Sequence, residues 1–294
     1  EAIGTDIIGQ IQFAKVKNVQ IFETNILQQK KYLIDLANKE VALSMVQRGG
    51  GVTDLRVRCI DRGDGYHMGI VHIHMNPCDA MGANIINQVC EFLKEPLQQF
   101  TSESVTMCIL SNLVDTKLTK STVTLNQIDP ELALKIEEAS RFAELDPYRA
   151  ATNNKGVLNG MDPILVATGN DWRAVEAGVH AYAARSGQYR SITKWRADGS
   201  RLTGELIAPI IVGTVGGVTA LHPTAKLALK ILNVKSATQL SQVIASVGLV
   251  QNLGALRALT TVGIIEGHMK LHIKNLSLGA GATEKEMRYV VKKL

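Results

Sequence analysis

Over residues 7–16 the chain reads I-I-G-Q-I-Q-F-A-K-V, apolar and polar positions alternating as in a half-buried strand. Residues 25–48 then carry apolar positions at helical spacing, through Ile26, Leu33, Leu36, Ala37 and Leu43, until Gly49-Gly50-Gly51 stops the pattern. Alternation returns over 55–60 and 66–75, on either side of the hairpin signal Asp61-Arg-Gly-Asp-Gly65. A second helical pattern spans 79–100, and a fourth strand pattern 105–110. The predicted order β-α-β-β-α-β is the ferredoxin-like arrangement, a four-stranded antiparallel sheet with two helices on one face.

Beyond Asn112 the texture changes. Helical periods cover 131–145, 171–186, 224–232 and 237–258, a hairpin around Asp198-Gly199 is expected within 191–209, and an apolar, glycine-dense segment follows over 210–219. The fold class is therefore α+β, with the ferredoxin-like unit inserted into a larger, mainly helical domain. The expected units are 6–111, 112–261 and a further piece over 262–294.

Composition narrows the class. The 294 residues are 46% apolar and 20% charged, a globular balance that leaves room for two cores. A net charge of +5, spread along the chain without interleaved aromatics, argues against nucleic acid and suits an anionic small ligand. No run approaches the roughly 18 continuous apolar residues of a membrane span. Cys59, Cys78, Cys90 and Cys108 form no C-x-x-C pair, so a disulfide scaffold and a thiolate zinc site are set aside. Buried thiols and a reducing cytoplasm are expected. The first residue is Glu1 rather than Met, and the chain reads as a fragment.

The candidate chemistry lies in polar segments embedded in apolar sequence. In Asp146-Pro-Tyr-Arg-Ala-Ala-Thr-Asn-Asn-Lys155-Gly-Val-Leu-Asn159-Gly-Met-Asp162, a lone lysine stands in a turn-prone stretch between two helical patterns. Sixteen residues on, Asp171 opens the next helix and could tune that lysine, or simply cap the helix. Asp79-Ala-Met-Gly-Ala-Asn84 opens a helix directly after a strand, a seat for phosphate or a capped turn with Asp79 as N-cap. The glycines of Val212-Gly-Thr-Val-Gly-Gly217 point to close packing more than to a phosphate cradle, and His222 before Pro223 to a loop or cap histidine. His268 and His272 have the spacing of a helical metal pair, but Met269 stands where a zincin motif needs Glu and no third ligand follows. A metal site is rejected; His268 remains a candidate proton donor or a half-buried helix residue.

Taken in order, His72-x6-Asp79-Ala-Met-Gly-Ala-Asn84, the Asp146 to Gly160 segment, Ala167-Thr-Gly-Asn-Asp171-Trp-Arg-Ala-Val-Glu-Ala-Gly178, Gly213-x-Val-Gly-Gly217 and Gly267-His268-Met resemble the class II hydroxymethylglutaryl-coenzyme A reductases. The resemblance covers essentially the whole chain. It implies reduction of the coenzyme A thioester to mevalonate and coenzyme A by two hydrides from NADPH or NADH, in the mevalonate route to isoprenoids. By the same resemblance, Lys155 stabilises the oxyanion with Asp171 hydrogen-bonded to it, and His268 protonates the departing thiolate. Arg149, Thr152 and Asn159 hold the substrate's carboxylate and hydroxyl. Asp79, Met81, Gly82, Asn84 and Asn112 bind the dinucleotide. The family's active site forms at a dimer interface, so a homodimer or an oligomer of dimers is implied, with neither membrane nor nucleic acid as partner.

Three departures stand out. The family's catalytic glutamate, in a Glu-Pro-Ser segment, has no counterpart and is expected upstream of Glu1. The C-terminal domain is expected to be cut short at Leu294, and Val218 replaces a small residue. A catalytically incomplete fragment acting only in binding or assembly is therefore the alternative. Family members restricted to NADH carry an acidic residue seven positions before the triple glycine. Here Ala42 takes that place, with Glu40 nearby, so NADPH use is expected.

Overall fold

The computed structural model of the protein describes residues 1–261, 263, 273 and 275–293. Strands β2 (Ile7–Val16), β3 (Gly51–Asp61), β4 (His67–Asn76) and β5 (Val105–Ser111) form an antiparallel sheet in the order β3-β4-β2-β5. Helices α1 (Val19–Gln28), α2 (Lys30–Glu40) and α3 (Leu43–Val46) lie between β2 and β3, and α4 (Ala83–Thr101) joins β4 to β5. This is the ferredoxin-like order. The alternation dictates it: Ile11, Phe13, Val71, Ile73 and Met75 turn to one face and bury against Phe22, Ile26, Leu33, Leu93 and Leu97 of the helices. Each such side chain contributes about 1.5–3 kcal/mol by leaving water.

Two helix boundaries differ from expectation. The single helix read over 25–48 is three, starting at Val19 behind the N-cap Asn18, whose side chain accepts from the Ile21 N–H at 3.0 Å. The helix read from Asp79 starts at Ala83, because Gly82 takes a left-handed conformation (φ 92°) that ends the preceding turn.

The second sheet has the order β1-β6-β8-β7, from β1 (Ala2–Ile3), β6 (Leu118–Leu125), β7 (Thr193–Asp198) and β8 (Arg201–Ala208). The β7–β8 hairpin is as expected; β6, L-T-K-S-T-V-T-L, is not, and it makes this half less purely helical than predicted. Because β1 precedes the first sheet and pairs with β6 after it, the ferredoxin-like unit is inserted between two strands of the other sheet. Against this sheet pack α5 (Pro130–Leu145) and α10 (Ala237–Thr260), and α6 (Pro147–Ala167) packs on those two helices, with Trp195, Leu206, Ile136, Val157, Met161, Ile244 and Leu249 at the core. Helices α6 and α10 approach closely through Gly160 and Gly248: a Cβ on Gly160 would lie 2.8 Å from Gln251 Cβ. Helices α7 (Trp172–Ala183), α8 (Gly217–Leu221), α9 (Pro223–Leu232) and α11 (Glu284–Lys293) complete the described elements.

By length and composition helix α10 is apolar enough to cross a membrane, with a mean hydropathy of 1.3 over its best window, although polar residues interrupt it throughout. Here Leu240, Ile244, Leu249 and Leu256 are buried in the second core. Of the four cysteines Cys90 alone is fully buried; the other three are half-buried.

Candidate active site

The run around Lys155, read as turn-prone, is the middle of helix α6. Asp146 caps it, accepting from the Arg149 N–H at 2.9 Å, and Pro147 occupies the first turn, where its missing N–H costs nothing. Asn153 and Asn154 are weak helix formers, and buried tertiary hydrogen bonds hold them. Asn153 Nδ2 donates to Ser191 Oγ (2.8 Å) and Thr193 Oγ1 (3.1 Å), while its Oδ1 accepts from Asn252 Nδ2 (2.9 Å). Asn252 Oδ1 in turn accepts from the Trp195 indole at 2.8 Å. Asn154 donates to the Arg190 carbonyl (2.9 Å) and accepts from the Ile192 N–H (3.1 Å). This network, invisible in the sequence, fixes the rotation of α6 about its axis.

With Asn153 and Asn154 locked inward, helical spacing turns Thr152, Lys155 and Asn159 outward together. All three are exposed, and Arg149 borders them half-buried. Burial without a carboxylate partner lowers the Arg149 pKa, which marks its guanidinium as short of a counter-charge. Among the described residues no hydrogen bond or ion pair engages the Lys155 ammonium. Pro163, four residues beyond Asn159, has no N–H to give the Asn159 carbonyl, so that oxygen is also left without a helical donor. One helix face thus displays unpaired cations and polar groups suited to a carboxylate and a hydroxyl.

Asp171 opens α7 as expected. Its Oδ1 accepts from the N–H groups of Arg173 (3.1 Å) and Ala174 (3.2 Å), and Arg173 Nε pairs with it at 3.3 Å. Partial burial pushes its pKa up, but the hydrogen bonds from Ala174 and Arg173 outweigh that and hold the carboxyl below its ordinary range. The expected Lys155–Asp171 hydrogen bond is absent within the chain. Helix α6 runs twelve residues past Lys155 before the turn to Asp171, about 18 Å along its axis at 1.5 Å per residue. Neither side chain spans that.

A cleft of about 330 Å³ lies where three of the sequence motifs meet. Ala80 to Ile85, Gly169-Asn170-Asp171, Gly213 and Val215 to Thr219 line it, together with Met45. Asn170 joins two walls: its side chain donates to the Gly213 carbonyl (3.2 Å) and accepts from the Gly213 N–H (2.8 Å). A Cβ on Gly213 would sit 2.6 Å from the Met81 nitrogen, so close packing requires the glycine, as anticipated. The N-terminus of α4 opens on this cleft with no capping side chain and no acidic residue in its first turn. Its free N–H groups and dipole suit phosphate.

Met81, Gly82 and Asn84 line the cleft. Asn112 lines a small apolar cavity next to it, shared with Met81, Ile8 and Ile211. Asp79 does something else: its Oδ1 accepts from the Ala237 N–H at 2.9 Å, so it caps α10 rather than its own helix. His222 is the N-cap residue of α9, without a side-chain hydrogen bond there. His268 and His272 lie outside the described residues.

A model of the hydroxymethylglutaryl-coenzyme A reductase family matches residues 4–273. The 3-hydroxy-3-methylglutaryl-coenzyme A reductase of Archaeoglobus fulgidus is 42% identical over 98% of this chain and 66% of its own. A probable reductase of Borreliella burgdorferi is 36% identical over 84% of this chain and 60% of its own. This chain therefore spans about two thirds or less of the length of these curated relatives. The class II reductase of Streptococcus pneumoniae, solved bound to NADPH in open conformations, superposes with a TM-score of 0.85 at 41% identity, covering 100% of this chain and 73% of that one. A second structure of the pneumococcal enzyme gives 0.86, with 72% of that chain covered. Family match, sequence identity and superposition agree over nearly the whole length, and the chain belongs to the hydroxymethylglutaryl-coenzyme A reductase family.

Proposed function

We propose that the protein containing this chain reduces hydroxymethylglutaryl-coenzyme A to mevalonate and coenzyme A, with NADPH preferred over NADH. The observation that carries this is the outward face of α6, where Arg149, Thr152, Lys155 and Asn159 stand together, the Thr152 hydroxyl donating to the Tyr148 carbonyl at 3.4 Å and the Lys155 ammonium without a partner among the described residues. Arg149 grips the substrate carboxylate with its planar fork, and Thr152 and Asn159 take the hydroxyl. Lys155 donates to the oxyanion that forms when the thioester carbonyl is attacked. His268 gives a proton to the departing thiolate. The dinucleotide supplies hydride. The uncapped α4 N-terminus and the glycine-walled cleft fit its phosphates, with Met81, Gly82, Asn84 and Asn112 beside it, and Asp79 holds the loop that shapes this wall.

The reading requires two copies of the chain. Since Lys155 and Asp171 are too far apart within one, Asp171 meets the lysine of a second copy. Leu145, Tyr148 and Val166, which are 70%, 86% and 62% exposed, flank the Lys155 face and form part of the homodimer contact. Free thiols and the lack of any disulfide among the described residues suit a reducing cytoplasm.

The test is NADPH oxidation by the purified full-length protein, with and without hydroxymethylglutaryl-coenzyme A, and chemical detection of mevalonate. No thioester-dependent oxidation sinks the reading; a far higher efficiency with NADH sinks the cofactor choice.

A further inference from the structure

We infer that Tyr189 is a positioning residue for Lys155: together with His180 it ties the helix that carries the lysine to the helix that Asp171 opens. This rests on the reductase reading and deepens it.

Tyr189 lies on the connection from α7 to β7, residues 184–192. Its hydroxyl meets Nδ1 of His180, on α7, at 2.6 Å. Its second hydrogen-bond partner is the side-chain amide of Asn154, on α6. Burial raises the Tyr189 pKa and the Asn154 hydrogen bond lowers it, the mark of an amide N–H donating to the phenol oxygen. The phenol's own proton is therefore free for His180 Nδ1, which leaves the imidazole proton on Nε2. A directed chain of hydrogen bonds thus runs from α6 through the connection to α7.

The connection itself is pinned at both ends. The Arg190 N–H donates to the Ala183 carbonyl, at the end of α7, at 3.0 Å. Gln188 Nε2 donates to the Leu145 carbonyl (3.2 Å) and Arg190 Nη1 to the Glu144 carbonyl (3.0 Å), beside Asp146, the cap of α6. Asn154, wholly buried, has its amide filled by Arg190 and Ile192 on either side of the same segment.

A second tie joins the same two helices, the hydrogen bond between Asp162 of α6 and Glu176 of α7. Asn154 precedes Asp162 by eight residues, about 12 Å along α6, so the two ties together fix the angle between the helices. Lys155 directly follows Asn154. In the proposed dimer each site takes its lysine from one copy and Asp171 from the other, so that angle sets the geometry of both sites. A small misplacement of a reacting group is costly in rate.

The test compares full-length wild type with Tyr189→Phe, which removes the hydroxyl alone, and with His180→Ala and His180→Asn. The Asn side-chain oxygen stands in for Nδ1 as acceptor. Tyr189→Phe and His180→Ala are expected to lower kcat by about 3- to 10-fold, the worth of one neutral hydrogen bond, with either KM changed by less than about 2-fold. His180→Asn recovers most of that loss. Hydrogen exchange read by mass spectrometry follows the tie without turnover: amides over 152–159 should exchange about 3- to 10-fold faster in Tyr189→Phe, and those of β2 and β4 at the wild-type rate. Wild-type kcat in Tyr189→Phe, exchange over 152–159 that is unchanged, or acceleration spread evenly over both sheets overturns the assignment. So does a His180→Asn variant no better than His180→Ala. Should Tyr189→Phe fail to fold, the two variants of the half-buried His180 decide by the same readouts. A wild type that reduces no thioester sinks the reductase reading instead, and the exchange measurement still decides whether Tyr189 holds α6.

Discussion

Asn252 on α10 donates its side-chain amide to the Asn153 carbonyl oxygen at 2.9 Å, two residues before Lys155. Both amides are almost wholly buried, at 1% and 3% exposure, so each unmade bond leaves a polar group without water. Asn252→Ala orphans Asn153 Oδ1 and the Trp195 indole together. The expected loss is about 2–6 kcal/mol, taking roughly 1–3 kcal/mol for each of the two unsatisfied buried groups. Urea denaturation reads it directly; a change below about 0.5 kcal/mol, the size expected of an ordinary surface substitution, contradicts the network's role.

Lys155→Ala is expected to lower kcat in the full-length protein by at least several-hundred-fold, about the effect of losing an oxyanion donor. Near-normal turnover refutes the role.

If Lys155 meets Asp171 of a second copy, two inactive variants should rescue each other. In a mixed dimer of Lys155→Ala with Asp171→Ala, one of the two sites keeps both native residues. Random reassembly of equal amounts then restores about a quarter of the wild-type activity per chain, half the dimers being mixed and half their sites intact. Mixing without recovery, after exchange has been verified by mass, argues that the pair acts within one chain.

Two glycines make opposite stability predictions. Gly213→Ala drives a Cβ to 2.6 Å from the Met81 backbone nitrogen, which cannot swing away, so a loss of about 1–3 kcal/mol is expected. Gly254, inside α10, has nothing within 4 Å of its added Cβ. Gly254→Ala should stabilise by about 0.5–1 kcal/mol through helix propensity and a less flexible unfolded chain. Thermal melts of both variants against wild type check the pair of signs.

The ferredoxin-like unit was legible because, along β2, the half-buried Gln10 and Gln12 alternate with the fully buried Ile11 and Phe13, and such alternation writes a period of two into the residues. Strand β6 escaped because its alternation runs through Thr and Ser, whose burial depends on a sheet assembled from distant segments. Helix α6 escaped because its stability at Asn153 and Asn154 comes from Ser191, Thr193, Arg190 and Asn252, not from local propensity. The site residues were named by motif. Their chain order carried no distance, so the separation of Lys155 from Asp171 and the capping of α10 by Asp79 emerged only in three dimensions.

The α6–α7 contact holds a carboxyl that titrates above its ordinary range. Asp162 on α6 is raised to about 6 by partial burial first and by the Glu176 carboxylate of α7 second, through charge and a hydrogen bond that requires one shared proton. In the unfolded chain an aspartate ionises near pH 4, at about 3.9. The folded state therefore holds an extra proton between these values. Its stabilisation is complete below the unfolded pKa and is lost as the pH rises through about 6. Asp162→Asn keeps a donor toward Glu176 but cannot ionise, so it should gain stability relative to wild type as the pH rises from about 4 to about 7, then level off. Urea midpoints across that window measure the difference. A difference that stays flat shows that no proton is shared, and that Asp162 ionises alike in both states.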